Sequence, residues 1–329
     1  MNFNRFKRVV SLTLSIVFLI VLCSCETTNT KSSDKSKKET ITIAYQGGIG
    51  YAPVNILETE KLIETNYGKD VKVEFKKLNS GADINTGIIG GTIDIGCMGI
   101  APAVSAIANG VSCKIISNLC SQSHGLMTND PSIKSLKDIK SNDKIALVNT
   151  GSIQHIFLAM AAEKELGDAH ALDNNITPMA HADGMAALES GTVKLHLTSA
   201  PFITRERESG KYTEIDAVKN IWPNGNTFLV ALCSTNLEKE NKELFDAIKK
   251  SFDDAIGFIN NNKEEAAKAI STYLGQDEKT TLNDLNDGSC EFSDELKGVT
   301  TISNFMFKAK FIENQVSIDD LKYSDVKGS

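Results

Sequence analysis

Positive charge is in short supply in this chain. Lysine and arginine number 35 against 42 aspartates and glutamates. Three of the cations, Arg5, Lys7 and Arg8, stand in the first eight residues with no acid near them. Without residues 1–24 the balance is 32 against 42, a net charge of −10. A body this acidic repels a phosphate backbone, which excludes nucleic acid as an expected partner. Long apolar runs are as scarce. One stretch, residues 9–22, is mostly apolar, but its 14 residues fall short of the roughly 20 needed to span a bilayer. The remaining 305 residues hold no run that approaches that length and suffice for two domains of ordinary size.

Recognisable catalytic and metal-binding patterns are missing too. There is no Gly-x-Ser-x-Gly elbow, no His-Glu-x-x-His and no Walker A sequence. Gly48-Ile-Gly50 lacks the third glycine of a dinucleotide fingerprint. His124, His155, His170, His181 and His196 include no pair at ligand-like helical spacing. The five cysteines beyond residue 25 are Cys97, Cys113, Cys120, Cys233 and Cys290, with no Cys-x-x-Cys among them. They read as small buried apolar side chains, and the sequence leaves a single disulfide among them open. Asp83, Asp94 and Asp183 are scattered and read as caps or solvated groups. The expectation is a protein with no cofactor, no metal and no enzymatic activity.

What is present begins at the amino terminus. A basic start, a short apolar run and the junction Leu22-Cys23-Ser24-Cys25 make a bacterial secretion signal. The junction resembles a lipobox, after which Cys25 becomes the lipid-modified first residue. Residues 26–40 contain no apolar side chain and are rich in Ser, Thr and Lys; they read as a solvated tether. The expected order is a signal peptide (1–24), a lipidated Cys25 with its tether (25–40), and a body held on the extracytoplasmic face of the cell membrane.

In the body, strands alternate with helices. Ile41-Thr-Ile-Ala-Tyr45 and Val71-Lys-Val-Glu-Phe75 have strand alternation, and further strands are expected at 91–96 and 113–119. Helices are expected at 53–64, opened by Pro53, at 82–89, and at 102–109, closed by Gly110. A second series follows: a helical turn at 135–139, strands at 144–148, 193–198 and 227–233, and helices at 154–166 and 183–190. Helices at 242–260, 263–274 and 294–312 make a helical tail. Such alternation implies largely parallel sheets, whose ligands bind beyond the carboxyl ends of the strands. The loops there are residues 46–53, 97–102, 149–153 and 199–202, all poor in charge. Three of them run into helix starts, whose unpaired N–H groups and partial positive charge suit an anionic oxygen.

Ala44-Tyr45-Gln46-Gly-Gly48 followed by Ala52-Pro53, and Gly90-Gly-Thr-Ile-Asp-Ile-Gly-Cys-Met-Gly-Ile-Ala-Pro-Ala103 followed by Ile107-Ala-Asn-Gly-Val111, form an ordered set. It continues with Ser135-Leu-Lys-Asp-Ile139, Lys144-Ile-Ala146, Gly151-Ser-Ile-Gln154, Met185-Ala-Ala-Leu-Glu-Ser-Gly191 and Leu197-Thr-Ser-Ala-Pro-Phe202. This set resembles the substrate-binding lipoproteins of ABC importers of the nitrate/sulfonate/taurine type, relatives of the thiamine-precursor binding proteins. The resemblance implies a type II periplasmic-binding-protein fold: two α/β lobes joined by a two-segment hinge. It places lobe 1 at 41–123 and 231–329, lobe 2 at 124–230, and the crossings near 124–128 and 226–230. It also implies a monomer that carries a small solute to permease and ATPase subunits.

Carried over residue by residue, the ligand-binding positions are Gln46, Tyr51, Met98, Gly99, Ile100, Ala101, Gly151, Ser152, Ile153, Gln154, His181, Ser199, Pro201 and Phe202. There are departures from the family pattern. Lys194 replaces an expected Asp, Ala200 precedes Pro201 in place of a carboxylate, and no Arg stands in the candidate loops. Without an Arg fork, a neutral or zwitterionic ligand is as open as an anion. Trp222, the only tryptophan, suits either ring stacking or packing. An extracellular enzyme, and a sensor or adhesin reusing the same fold, stay as alternatives.

Overall fold

The computed structural model describes residues 39–329. The expected signal peptide, Cys25 and nearly all of the tether lie outside the described residues. The β-branched start of the body forms β1 (Glu39–Tyr45), with Ile41 and Ile43 buried. The helix expected over 53–64 is two helices, α1 (Ala52–Thr59) and α2 (Leu62–Tyr67), because Lys61 between them is left-handed at φ 49. Next come β2 (Val71–Lys77), α3 (Gly81–Ile89), β3 (Ile95–Gly99), α4 (Ile100–Ala108) and β4 (Cys113–Gln122).

Through Ser123 the chain enters a second sheet. Its elements are β5 (His124–Thr128), β6 (Ile145–Leu147), α5 (Ile153–Leu166), β7 (Ile176–Pro178), α6 (His181–Glu189), β8 (Leu195–Ser199), α7 (Phe202–Glu208), β9 (Thr213–Glu214) and α8 (Asp216–Lys219). It returns as β10 (Leu229–Ser234) and continues as α9 (Thr235–Glu240), α10 (Lys242–Asn261), α11 (Lys263–Leu274), α12 (Glu278–Asn286), β11 (Cys290–Phe292), α13 (Val299–Lys308) and α14 (Ile318–Leu321).

The sheets run β11-β4-β10-β3-β1-β2 and β7-β6-β8-β5-β9. Each has a parallel core with one antiparallel strand inserted into it, the one arriving from the other half, and β11 adds an antiparallel edge to the first sheet. β10 lies on β3 with Leu229 opposite Gly99, and β5 lies on β8 with His124 opposite Ser199. Residues 124–128 are therefore a sheet strand rather than a crossing, and Leu229 and Val230 already pair in the first sheet. Between the two sheets the chain runs through Ser123 on the way out and through residues 220–228, from α8 to β10, on the way back. Both are stitched to their surroundings: the Ala200 N–H donates to the Ser123 carbonyl at 2.9 Å, and the Phe228 N–H to the Cys120 carbonyl at 2.9 Å.

Every residue of β3, β5 and β8 is buried, as central strands covered on both faces require. The helix expected at 294–312 begins only at Val299, because Gly298 caps it at φ 76 and Leu296 is extended against Gly328. The five cysteines among the described residues are buried free thiols. Trp222 is packing: it stacks on Phe157 at 5.5 Å and donates its indole N–H to the Thr227 carbonyl. Lys194 bridges Asp130 and Asp143, each at 3.1 Å.

Candidate functional site

The carboxyl ends of β1, β3, β6 and β8 and the helix starts beyond them surround a cavity of about 720 Å³, lined from both sheets. After β1, Gln46 donates its amide to the Tyr51 hydroxyl at 2.6 Å. Gly48 sits at φ 125, and a Cβ on Gly50 would stand 2.7 Å from Leu229, so glycine lets this loop lie flat on β10. Burial holds the Tyr51 hydroxyl well above its ordinary pKa, so the phenol stays neutral.

After β3, Gly99, Pro102 and Ser105 line the cavity at one-turn spacing. Met98, Ile100 and Ala101 do not reach it: all three are fully buried. Strand runs into helix here without a loop, so Met98, Ile100 and Ala101 are held in the core while Pro102 faces the cavity.

After β6, residues 148–154 form the wall. Ser152 caps α5 by accepting from the His155 N–H, and the Gly151 N–H donates to His155 Nδ1 at 2.9 Å. Because Nδ1 accepts, the ring proton sits on Nε2 and donates to Asp173 at 3.0 Å. His155 thus fixes the loop from behind.

His181 opens α6 and lies between Thr198 (Nδ1 to Oγ1, 2.8 Å) and Gln154 (Nε2 to the amide nitrogen, 3.3 Å). An amide nitrogen can only donate, so Nε2 accepts and the proton sits on Nδ1. Burial, and secondarily the His196 ring, push the His181 pKa down to about 3, so the imidazole is neutral. The start of α6 has no side-chain cap. Ala180, His181 and Ala182 line the cavity. The first internal bond of α6 runs from the Gly184 N–H to the Ala180 carbonyl, and no described residue accepts from the N–H groups of His181, Ala182 or Asp183.

After β8, Ser199, Pro201 and Phe202 line the wall, and one turn on so does Arg205. An arginine does reach the cleft, from a helix rather than a loop. Its guanidinium donates across to Gln276 at 2.9 Å and to Asp284 at 3.3 Å, residues of the other half. The two halves also meet where the Gln122 amide donates to the Ala200 carbonyl at 2.8 Å. No carboxylate lines the cavity among the described residues; its cations are Lys77 and Arg205. No group of three or more His, Cys, Asp or Glu among the described residues is placed to hold a metal.

A sequence profile of the NMT1-like family matches residues 34–274. The chain belongs to the NMT1-like family. No curated protein matches its sequence significantly. Among solved structures it is similar to the periplasmic aliphatic sulphonate binding protein SsuA from Escherichia coli, at 18% identity and TM-score 0.67 over 88% of this chain and 98% of that one. The ligand binding component of an ABC-type import system from Staphylococcus aureus matches at 17% identity and TM-score 0.68, over 88% and 99%. The periplasmic nitrate-binding protein NrtA from Synechocystis PCC 6803 matches at 12% identity and TM-score 0.67, over 88% and 87%. These likenesses establish the periplasmic-binding-protein fold.

In this member of the NMT1-like family, the sequence-predicted residues Gln46, Tyr51, Gly99, Gly151 to Gln154, His181, Ser199, Pro201 and Phe202 come together around the cavity. Sequence reasoning missed Asn79, Asn85, Gln122, Phe228, Arg205, Tyr273 and Gln276, which also line it. Extending the helical face of Phe202 by three residues finds Arg205. Tyr273 and Gln276 come from the helical tail, more than 70 residues downstream of α6, and carry no local signal.

Proposed function

We propose that this NMT1-like chain is the extracytoplasmic solute-binding lipoprotein of an ABC importer, anchored by lipid on Cys25 and working as a monomer. It captures a small solute with an anionic group in the cleft and delivers it, chemically unchanged, to the permease and ATPase subunits. Its two lobes exchange chain at Ser123 and along residues 220–228, and those passages act as the hinge. One observation carries the choice of an anionic group: the uncapped start of α6 offers the N–H groups of His181 and Ala182 beside a cavity with no lining carboxylate, the Asp183 of that turn standing off the wall. Neutral His181 adds no charge there, so the helix start and the two lining cations supply the attraction. The names of SsuA and NrtA as sulphonate- and nitrate-binding proteins point the same way. Removing Arg5, Lys7 and Arg8 with the signal leaves the tether to hold the body off the membrane. A thermal-shift screen against sulfonates, nitrate, carboxylates and neutral heterocycles tests the reading, because a ligand of the native state raises Tm by mass action. Stabilisation confined to anions is expected. Stabilisation by neutral solutes alone sinks the anionic reading.

A further inference from the structure

The cavity is far larger than a small oxyanion needs. Its 720 Å³ is about 24 times the ~30 Å³ share of one water in the liquid, and lies within the range of pockets that enclose drug-sized ligands. The wall beside the α6 start is aromatic. His181 and Phe202 both line the cavity, with ring centroids 5.8 Å apart and planes tilted by 31°. Both nitrogens of His181 are already engaged by Thr198 and Gln154. Its edge is therefore spent within the protein, and what remains for a solute is the part of the ring face that Phe202 and His196, 5.8 and 6.1 Å away, leave open to the cavity. Phe228 and Tyr273 add aromatic surface from the other half.

We infer that the solute is an organic anion with a flat, unsaturated body, seated against the His181–Phe202 wall with its anionic group at the start of α6. This rests on the anionic solute-binding reading above. A flat ring gains offset-stacking energy that a puckered ring of equal size does not, and a small ion leaves most of the cavity to water. The amide side chains of Asn79, Asn85 and Gln122 offer donors and acceptors to substituents on the ring's rim.

The test titrates the purified full-length chain with benzenesulfonate, cyclohexanesulfonate and ethanesulfonate, which share one head group and differ in the body. Benzenesulfonate is expected to bind about fivefold more tightly than cyclohexanesulfonate and roughly tenfold more tightly than ethanesulfonate, in line with stacking energies measured for aromatic pairs. Phe202→Leu should shrink the benzene-to-cyclohexane ratio toward one. His181→Phe, which keeps a ring face, should preserve it. Using a ratio of ligands keeps the test meaningful where a variant loses some stability. Equal or reversed preference between the two ring compounds overturns this proposal and leaves the anionic solute-binding reading standing. Silence toward all three sulfonates from folded protein overturns this proposal, and the thermal-shift screen against nitrate and carboxylates then decides the anionic reading.

Discussion

His181 concentrates the chemistry of the cleft in one side chain. A histidine at the mouth of a binding site is expected to switch with pH, yet this one is held neutral down to about pH 3 by burial and by its neighbour His196. Solute affinity should therefore stay flat between pH 5 and 8, which calorimetry at the two limits checks; a tenfold change across that range contradicts the assignment. Stability behaves differently. His124 is also depressed, to about 4, chiefly by burial. In the unfolded chain both rings take up a proton near 6.5, whereas the folded chain refuses it until about 4 and 3. Between those limits the unfolded state binds more protons, so stability is fully present above about pH 6.5 and falls as pH drops. Melting curves at pH 7, 6 and 5 should show Tm falling, with a shallower fall in His181→Gln. At this scale the sequence was most legible where a glycine or serine loop ends a strand, as at Gln46, Gly151 and Ser199. Met98, Ile100 and Ala101 stand off the cavity wall, in an apolar strand end and helix start that pack into the core. The free thiols follow the same logic: Cys97 and Cys233 sit in buried strands with their pKa values driven up by burial, which makes them inert packing.

Among the elements, helix starts and one cross-cleft bond organise the site. α3 and α5 spend their first turns on Ser80 and Ser152 caps, and α6 leaves its own open. α7 reaches across the cleft through Arg205 to Gln276 and Asp284, at the end of α11 and on α12. Gln276 also donates to Asp284 at 2.8 Å, which orients both acceptors. Arg205 is 38% exposed, so the pair contributes no more than about 1 kcal/mol to folding. On the proposed hinge reading, its effect belongs to closure. Arg205→Ala should change Tm by only a degree or two while solute dissociation, followed by stopped flow, quickens about three- to tenfold; an unchanged dissociation rate contradicts the latch. The alternation of strands and helices was readable because hydrophobic periodicity is local. β9 and β11 were not, since two- and three-residue strands carry too little pattern, and α12 was hidden because its buried face is reduced to Thr281 and Leu285. The insertion of β5 and β10 into each other's neighbourhoods is a pairing between distant segments, which no local signal encodes.

On the scale of the whole molecule, two sheets of like order are joined by two passages of the chain, and the cavity lies where their strand ends meet. Gly99 is a cavity-lining glycine at which the halves approach each other: a Cβ there would stand 3.4 Å from Ile153 of α5. Its backbone, at φ −59, tolerates any residue, so a larger side chain acts as a wedge between halves rather than as strain within one. Hinge closure around ligands is the expected motion of such a fold. The measurement that tests this most directly is calorimetric titration of the native chain and Gly99→Leu with the anion that gives the largest thermal shift. The account predicts saturable one-to-one binding to the native chain, at least tenfold weaker in Gly99→Leu, with Tm within a few degrees of native. Saturable binding that the wedge leaves untouched, or a folded native chain that binds no small solute at all, would contradict it.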